Sequence, residues 1–119
     1  AQYAADRTIS KRLGLISMAL SQDDGPEIEG GTTWTLSSRC RVEGLDIYGT
    51  VAIQSSITDI SQITLRGTGL VDIAADAVLV SRVHGGGEIK FQTGTQDGEA
   101  DVIAGSVTIS DPDGNNDTA

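Results

Sequence analysis

Residues 47–53 read Ile-Tyr-Gly-Thr-Val-Ala-Ile, residues 65–71 read Leu-Arg-Gly-Thr-Gly-Leu-Val, and residues 83–89 read Val-His-Gly-Gly-Gly-Glu-Ile. Each copy begins eighteen residues after the last. Two looser copies flank them: Ile-Glu-Gly-Gly-Thr-Thr-Trp at residues 28–34, and Ile-Ala-Gly-Ser-Val-Thr-Ile at residues 103–109. All five share one pattern: an apolar residue, any residue, glycine, three residues, an apolar residue. Secondary apolar sets stand between them: Cys40, Val42 and Leu45; Ile57, Ile60 and Ile63; Val78 and Val80. A repeat of about 18–20 residues is too short for a helix pair and too long for a hairpin, and it matches one turn of a β-helix.

The repeat therefore predicts an all-β fold: a single-stranded parallel β-helix of about five coils, with strands stacked about 4.8 Å apart. Stacking at this period places Ile47, Leu65, Val83 and Ile103 in one interior ladder. It places Trp34, Ile53, Val71, Ile89 and Ile109 in another. The glycine file Gly30, Gly49, Gly67, Gly85 and Gly105 then marks a bend that needs positive φ or a close approach between coils. An eighteen-residue coil is also three hexapeptides, the phase of left-handed solenoids. Asp59 and Ala77 break that phase, and the drift from eighteen to twenty residues favours the less regular right-handed kind.

Composition agrees with a coiled stack of aliphatic strands. Aromatic residues are 3% of the 119, so Val and Ile must fill the core, and 15 glycines supply the turns. The formal charge of −9 argues against a nucleic-acid partner, because an acidic surface repels a phosphate backbone. No stretch approaches the twenty or so apolar residues of a membrane span. A single cysteine, Cys40, makes no internal disulfide.

Three segments are expected: a helical one at residues 1–21, the solenoid at 22–110, and an acidic tail at 111–119. In the first, Ile9, Leu13, Ile16 and Leu20 recur at steps of four, three and four, which predicts one apolar helical face. That face either caps the first open strand edge or forms a short trimeric bundle with copies of itself. The tail, with Asp111, Asp113 and Asp117, sets like charge at the other end and discourages end-to-end polymerisation.

Candidate chemistry is sparse. Asp111, Asp113, Asn115 and Asp117 place oxygens at alternate positions, as in the first half of a calcium loop, so Ca2+ is the one cofactor suggested. The glycine falls at the fourth position of that loop instead of the sixth. His84 and Cys40 stand in different coils with no third partner for a triad. Asp59, Asp72, Asp76, Arg66 and Arg82 could form a charged solenoid face, although no enzyme is expected from so few loops. Gly85, Gly86 and Gly87 precede no helix and lack a P-loop lysine, so they read as a turn or close-packed strand. Tyr48 is the one aromatic side chain expected to face outward as a ring platform.

The helix at residues 4–21 leading into Gly-punctuated coils at 28–109 resembles the small β-helical virion proteins of tailed bacteriophages: capsid fibres, decoration proteins and tail-spike bases. The resemblance is architectural, with no diagnostic motif. It implies a non-enzymatic structural protein on a virion surface, a homo-oligomer with trimers favoured, contacting other virion proteins. Filament-forming solenoids of the bactofilin kind, and secreted glycan-binding or adhesive modules, are the alternatives. They would place the chain in the cytoplasm or outside the cell.

Overall fold

The computed structural model describes residues 2–3, 7–9, 13–16, 27–38 and 40–117; for 2–3, 7–9, 13–16, 27 and 40 this covers the backbone only. Every element among them is a strand, and every pairing between strands is parallel. The chain is a β-solenoid. From Ile28 through Ile47, Leu65 and Gly85 to Gly105 the same position is passed five times, which makes about four full turns.

One sheet holds β2 (Arg7–Ile9), β5 (Thr33–Leu36), β8 (Thr50–Ile53), β10 (Leu70–Ile73), β12 (Glu88–Phe91) and β14 (Thr108–Ser110), stacked in chain order. Strict alternation of buried and open positions in β5, β8 and β10 gives two interior ladders. Trp34, Val51, Val71, Ile89 and Ile109 form the first, and Leu36, Ile53, Ile73 and Phe91 the second. Ile53 thus stands two residues from the ladder the repeat assigned to it. Val71, Ile89 and Ile109 stand where expected.

The other sheet is built from β1 (Gln2–Tyr3), β3 (Leu13–Ile16), β4 (Glu27–Ile28), β6 (Cys40–Glu43), β7 (Asp46–Ile47), β9 (Asp59–Leu65), β11 (Leu79–Gly85) and β13 (Glu99–Gly105). In the later coils two short strands fuse into one of seven residues, bent at a left-handed residue. Gly44, Gln62 and Arg82 take positive φ at equivalent places, just after residues that stack as Glu43, Ser61 and Ser81. A second file of left-handed residues, Ile57, Ala77 and Asp97, turns the loop on the far side. Each rung bonds to the next there: Ile57 N–H to Asp76 O at 3.2 Å, Ala77 N–H to Gln96 O at 2.9 Å, Asp97 N–H to Asn115 O at 3.1 Å.

Two sequence expectations are corrected. The first is the helix. Ile9 lies in β2 beside Leu36; Leu13 and Ile16 lie in β3 beside Cys40 and Glu43. These stretches are extended rungs, while Leu20 falls outside the described residues. Two short strands close together in sequence mimic a helical spacing: Leu13 and Leu15 are alternate positions of β3, and the Leu15 backbone is in register with Val42, Ile60, Val80 and Ala100. The second is the fifth coil. Val83 stacks on Ile63 and Leu65 on Gly85, because that coil advances twenty residues; above them Val83 pairs with Val102 and His84 with Ala104, and this register shift makes Ile103 the extra residue of a bulge. Ile103 is consequently 56% exposed and not interior.

The glycines also regroup. Gly49, Gly69 and Gly87 follow one another up the column, where a Cβ on any of them would collide with a backbone oxygen of the rung below. Gly67 sits at positive φ in open space instead, in the turn. Around these corners an unbroken aliphatic core runs from Ile28 to Ala100, with Phe91 as its largest fully buried side chain.

Candidate functional site

Four places on the column carry polar or uncovered groups. The first is the end beyond β12. There β14 has a parallel neighbour on one side only, and β13 likewise beyond Ala100, where the bridge of Asp117 to Glu99 ends, so these outer N–H and C=O groups form a sheet edge without a neighbouring strand among the described residues. Val102, Val107 and Ile109 continue interior ladders yet are only partly buried, since no rung covers them. With exposed Ile103 they make an apolar floor at the end of the column. Sequence reasoning named Ile103 and Ile109 as interior. It missed Val102 and Val107, because two adjacent apolar residues at 102 and 103 give no sign of which one turns inward.

Residues 111–117 lie beside that floor and do not trail away as a tail. They form the outer loop of the last coil, closing on the coil before it through Ala100 N–H to Asp117 O (2.8 Å) and Asp117 N–H to Gly98 O (2.8 Å). Asn116 pins the loop. Its Oδ1 accepts from Gly98 N–H at 2.8 Å, and its Nδ2 donates to Asp111 Oδ1 at 3.0 Å and Thr95 Oγ1 at 3.2 Å. Of the suggested calcium ligands, Asp111 therefore accepts from Asn116 through both oxygens, and Asp113 accepts from Gly94 N–H. The Asn115 carbonyl accepts from Asp97, and Asp117 bridges in the backbone to Glu99. The loop's oxygens serve the turn itself, and no group of three or more metal-ligating side chains occurs among the described residues.

A third place is the outer file Asp46, Thr64, His84 and Ala104. Asp46 and Thr64 alternate away from the core yet are only 2% exposed. Arg66 Nε lies 3.9 Å from Asp46 Oδ2, and Thr64 Oγ1 is 3.1 Å from His84 Nε2. This partner for His84 was not read from the sequence, because Thr64 is one whole coil away. Thr64 stands between the carboxylate and the imidazole, so the carboxylate does not orient the ring as a Ser-His-Asp relay requires. The fourth place is a groove of about 380 Å³ floored by Gly67, Gly69, Gly86 and Gly87, with Thr68, Glu88 and Thr108 along it.

The charged face suggested by sequence is dispersed. Asp59 lies near Arg41 on β9, Asp72 accepts from Gln92 Nε2 on β10, and Asp76 accepts from Gln96 N–H in the outer loop. Arg66 accompanies Asp46, and Arg82 stands exposed at the bent corner. Tyr48 is 36% exposed, as an outward platform requires. The side chain of Cys40 is outside the described ones. Ile9, Leu13 and Ile16, expected to form one oligomerising face, stand on two different strands of the first coil.

No protein family, curated protein or solved structure is matched by the chain. The functional reading rests on geometry, and among the described residues the last rung combines a sheet edge with partly exposed apolar side chains.

Proposed function

We propose that the protein is a non-enzymatic structural module: a stiff acidic β-solenoid that assembles through the end of its column. A virion surface, as decoration or fibre component, is the setting implied by its architectural resemblance. The observation that carries the reading is the last rung, where Val102, Ile103, Val107 and Ile109 are partly or largely exposed beside the edges of β14 and of β13 beyond Ala100. Edge strands of this kind take up a further strand by main-chain pairing, with the apolar ladder adding the burial that stabilises the join. The docked loop at 111–117 lies beside this edge and leaves β14 uncovered, and the described parts of residues 7–16 are strands, not a helix drawn over the opposite edge. The assembly surface shifts from a helical face to the column's end.

The test is absolute mass in solution by light scattering, over a range of concentrations, for the parent chain and for Ile109→Lys. Assembly that grows with concentration in the parent and is lost in Ile109→Lys, with the β-sheet circular dichroism kept, supports the reading. A parent chain that stays at 12.3 kDa at the highest concentration sinks it.

A further inference from the structure

Three Asp–Gly pairs occur in the chain, at residues 24–25, 97–98 and 113–114, and the last two lie among the described residues. Such a pair is chemically labile, because glycine has no Cβ to hinder approach to its amide nitrogen. That nitrogen attacks the side-chain Cγ of the aspartate before it. The new N–Cγ bond closes a five-membered succinimide, and the amide proton leaves with the carboxyl O–H as water. Water then adds back at either ring carbonyl. Opening at the former backbone carbonyl routes the main chain through Cβ and Cγ as isoaspartate, with one more methylene in the chain and no change of mass.

The two described pairs stand in opposite surroundings. Gly98 is buried, and its N–H donates to Asn116 Oδ1 at 2.8 Å. A Cβ there would meet Asn116 Oδ1 at 2.7 Å and Phe91 Cε1 at 2.8 Å, so packing demands glycine and the labile pair comes with it. Asn116 thus covers the nitrogen that would attack Asp97. Asp113 and Gly114 are both exposed, in a turn where Gly114 N–H reaches Asp111 O at 3.1 Å. Asp113 Oδ2 accepts from Gly94 N–H, which ties this turn to the coil before it. We infer that Asp113–Gly114 is a site of spontaneous isoaspartate formation, and that its conversion releases the loop guarding Asp97–Gly98. The added methylene lengthens the loop by about 1.5 Å and moves the free carboxylate from Cγ to the Cα side, so the acceptor for Gly94 N–H leaves its place. With the loop lifted, Gly98 N is uncovered and Asp97 converts in turn. Ala100 N–H also loses Asp117 O, so Glu99 and Ala100 join the open edge of β13.

The experiment incubates the parent chain for several weeks at physiological temperature and pH, beside the same chain unfolded in urea. Isoaspartate is counted by enzymatic methyl transfer from S-adenosylmethionine and located by electron-transfer fragmentation, while hydrogen exchange follows Ala100 and Asp117. The folded parent should convert first at residue 113, and at residue 97 only in chains already converted at 113. Protection of Ala100 should fall in step with conversion at 113, and the unfolded chain should convert at both positions at similar rates. Asn116→Ala should raise the rate at residue 97 roughly tenfold, the factor for one lost hydrogen bond. Asp113→Glu, whose ring closure needs six members and is far slower, should delay conversion at 97. The folded parent overturns the inference in any of three ways, and none needs a variant to fold. It converts at 97 as fast as at 113, it stays unconverted at 113 while the unfolded chain converts, or it converts at 113 with Ala100 still protected.

Discussion

Substituting Gly69 by alanine tests the stacking of rungs most directly. Gly69 does not have positive φ, so alanine fits its backbone, and any cost comes from space alone. The added methyl would fall inside the carbonyl oxygen of Ile47 on the rung below and beside Arg66 N. To restore an ordinary carbon–oxygen separation of roughly 3.3 Å, the two rungs must part by about 1 Å. Arg66 N–H to Ile47 O is 3.0 Å and Leu70 N–H to Gly49 O is 2.9 Å. At that parting both exceed hydrogen-bonding range, a loss of about 1 kcal/mol each. Overpacking against the Ile47 and Arg66 backbone adds about 1–2 kcal/mol. The total is about 3–4 kcal/mol, or a melting temperature lowered by roughly 12–16 °C at this chain length. Two controls separate space from backbone conformation. Gly67→Ala meets nothing within 4 Å but keeps positive φ, so it costs about 1 kcal/mol. Gly30→Ala meets only Thr68 Oγ1 at 3.8 Å without positive φ, and gains about 0.5 kcal/mol by restricting the unfolded chain. Thermal and urea unfolding, followed by circular dichroism and by the buried Trp34, reads all three. A Gly69→Ala protein as stable as Gly67→Ala would mean that the rungs do not touch there, and the register would have to be redrawn.

Three further substitutions probe the core, the loop and the surface. Phe91→Ala removes the largest fully buried side chain and should cost about 3–5 kcal/mol in urea unfolding, against under about 1.5 for Phe91→Leu. Asn116→Ala deletes the amide that ties Gly98, Thr95 and Asp111 together. Faster hydrogen exchange at Gly98 and Asp117 is expected, with a loss of about 2 kcal/mol or less. Arg41→Ala removes an ion pair with Glu43 at 2.9 Å whose arginine is 61% exposed, and stability should change by less than about 0.5 kcal/mol.

Much of this architecture is legible in the residues because aliphatic alternation is a local signal. The coil could be read from five copies of one pattern, and Val71, Ile89 and Ile109 stack as their phase requires. Errors entered where coils differ in length. From Trp34 to Val51 the ladder advances seventeen residues, from Val51 to Val71 twenty, and from Val71 to Ile89 eighteen. A uniform eighteen therefore lands on Ile53 and Val83, each two residues off, and the error keeps the inward phase so nothing in the alternation betrays it. The left-handed corners were not readable at all. Ile57, Gln62, Ala77, Arg82 and Asp97 carry no common residue type, and a β-branched Ile57 at positive φ opposes its own preference. Those conformations are imposed by the rungs on either side. The His84 and Thr64 contact was hidden for a related reason: it joins residues twenty apart, which become neighbours only after the register is known.

What distinguishes the ends of such a column follows from its one-dimensional construction. Each interior rung is stabilised by the two it touches, and a terminal rung keeps the same alternating backbone groups and apolar ladder while lacking one cover. Ile109 differs from Ile89 in that respect alone: both stand in one ladder, but Ile89 is fully buried and Ile109 is not. An uncovered edge pairs with whatever strand arrives unless something discriminates, and charge is what this end adds. Acids gathered at residues 97–117 repel another last rung and most of the rest of an acidic surface. The same carboxylates thereby make indiscriminate edge pairing costly. Replacing exposed Asp101 by asparagine keeps the shape of the rung and removes part of this repulsion. Assembly of that variant should become less sensitive to salt, whereas unchanged salt dependence would place the selectivity elsewhere.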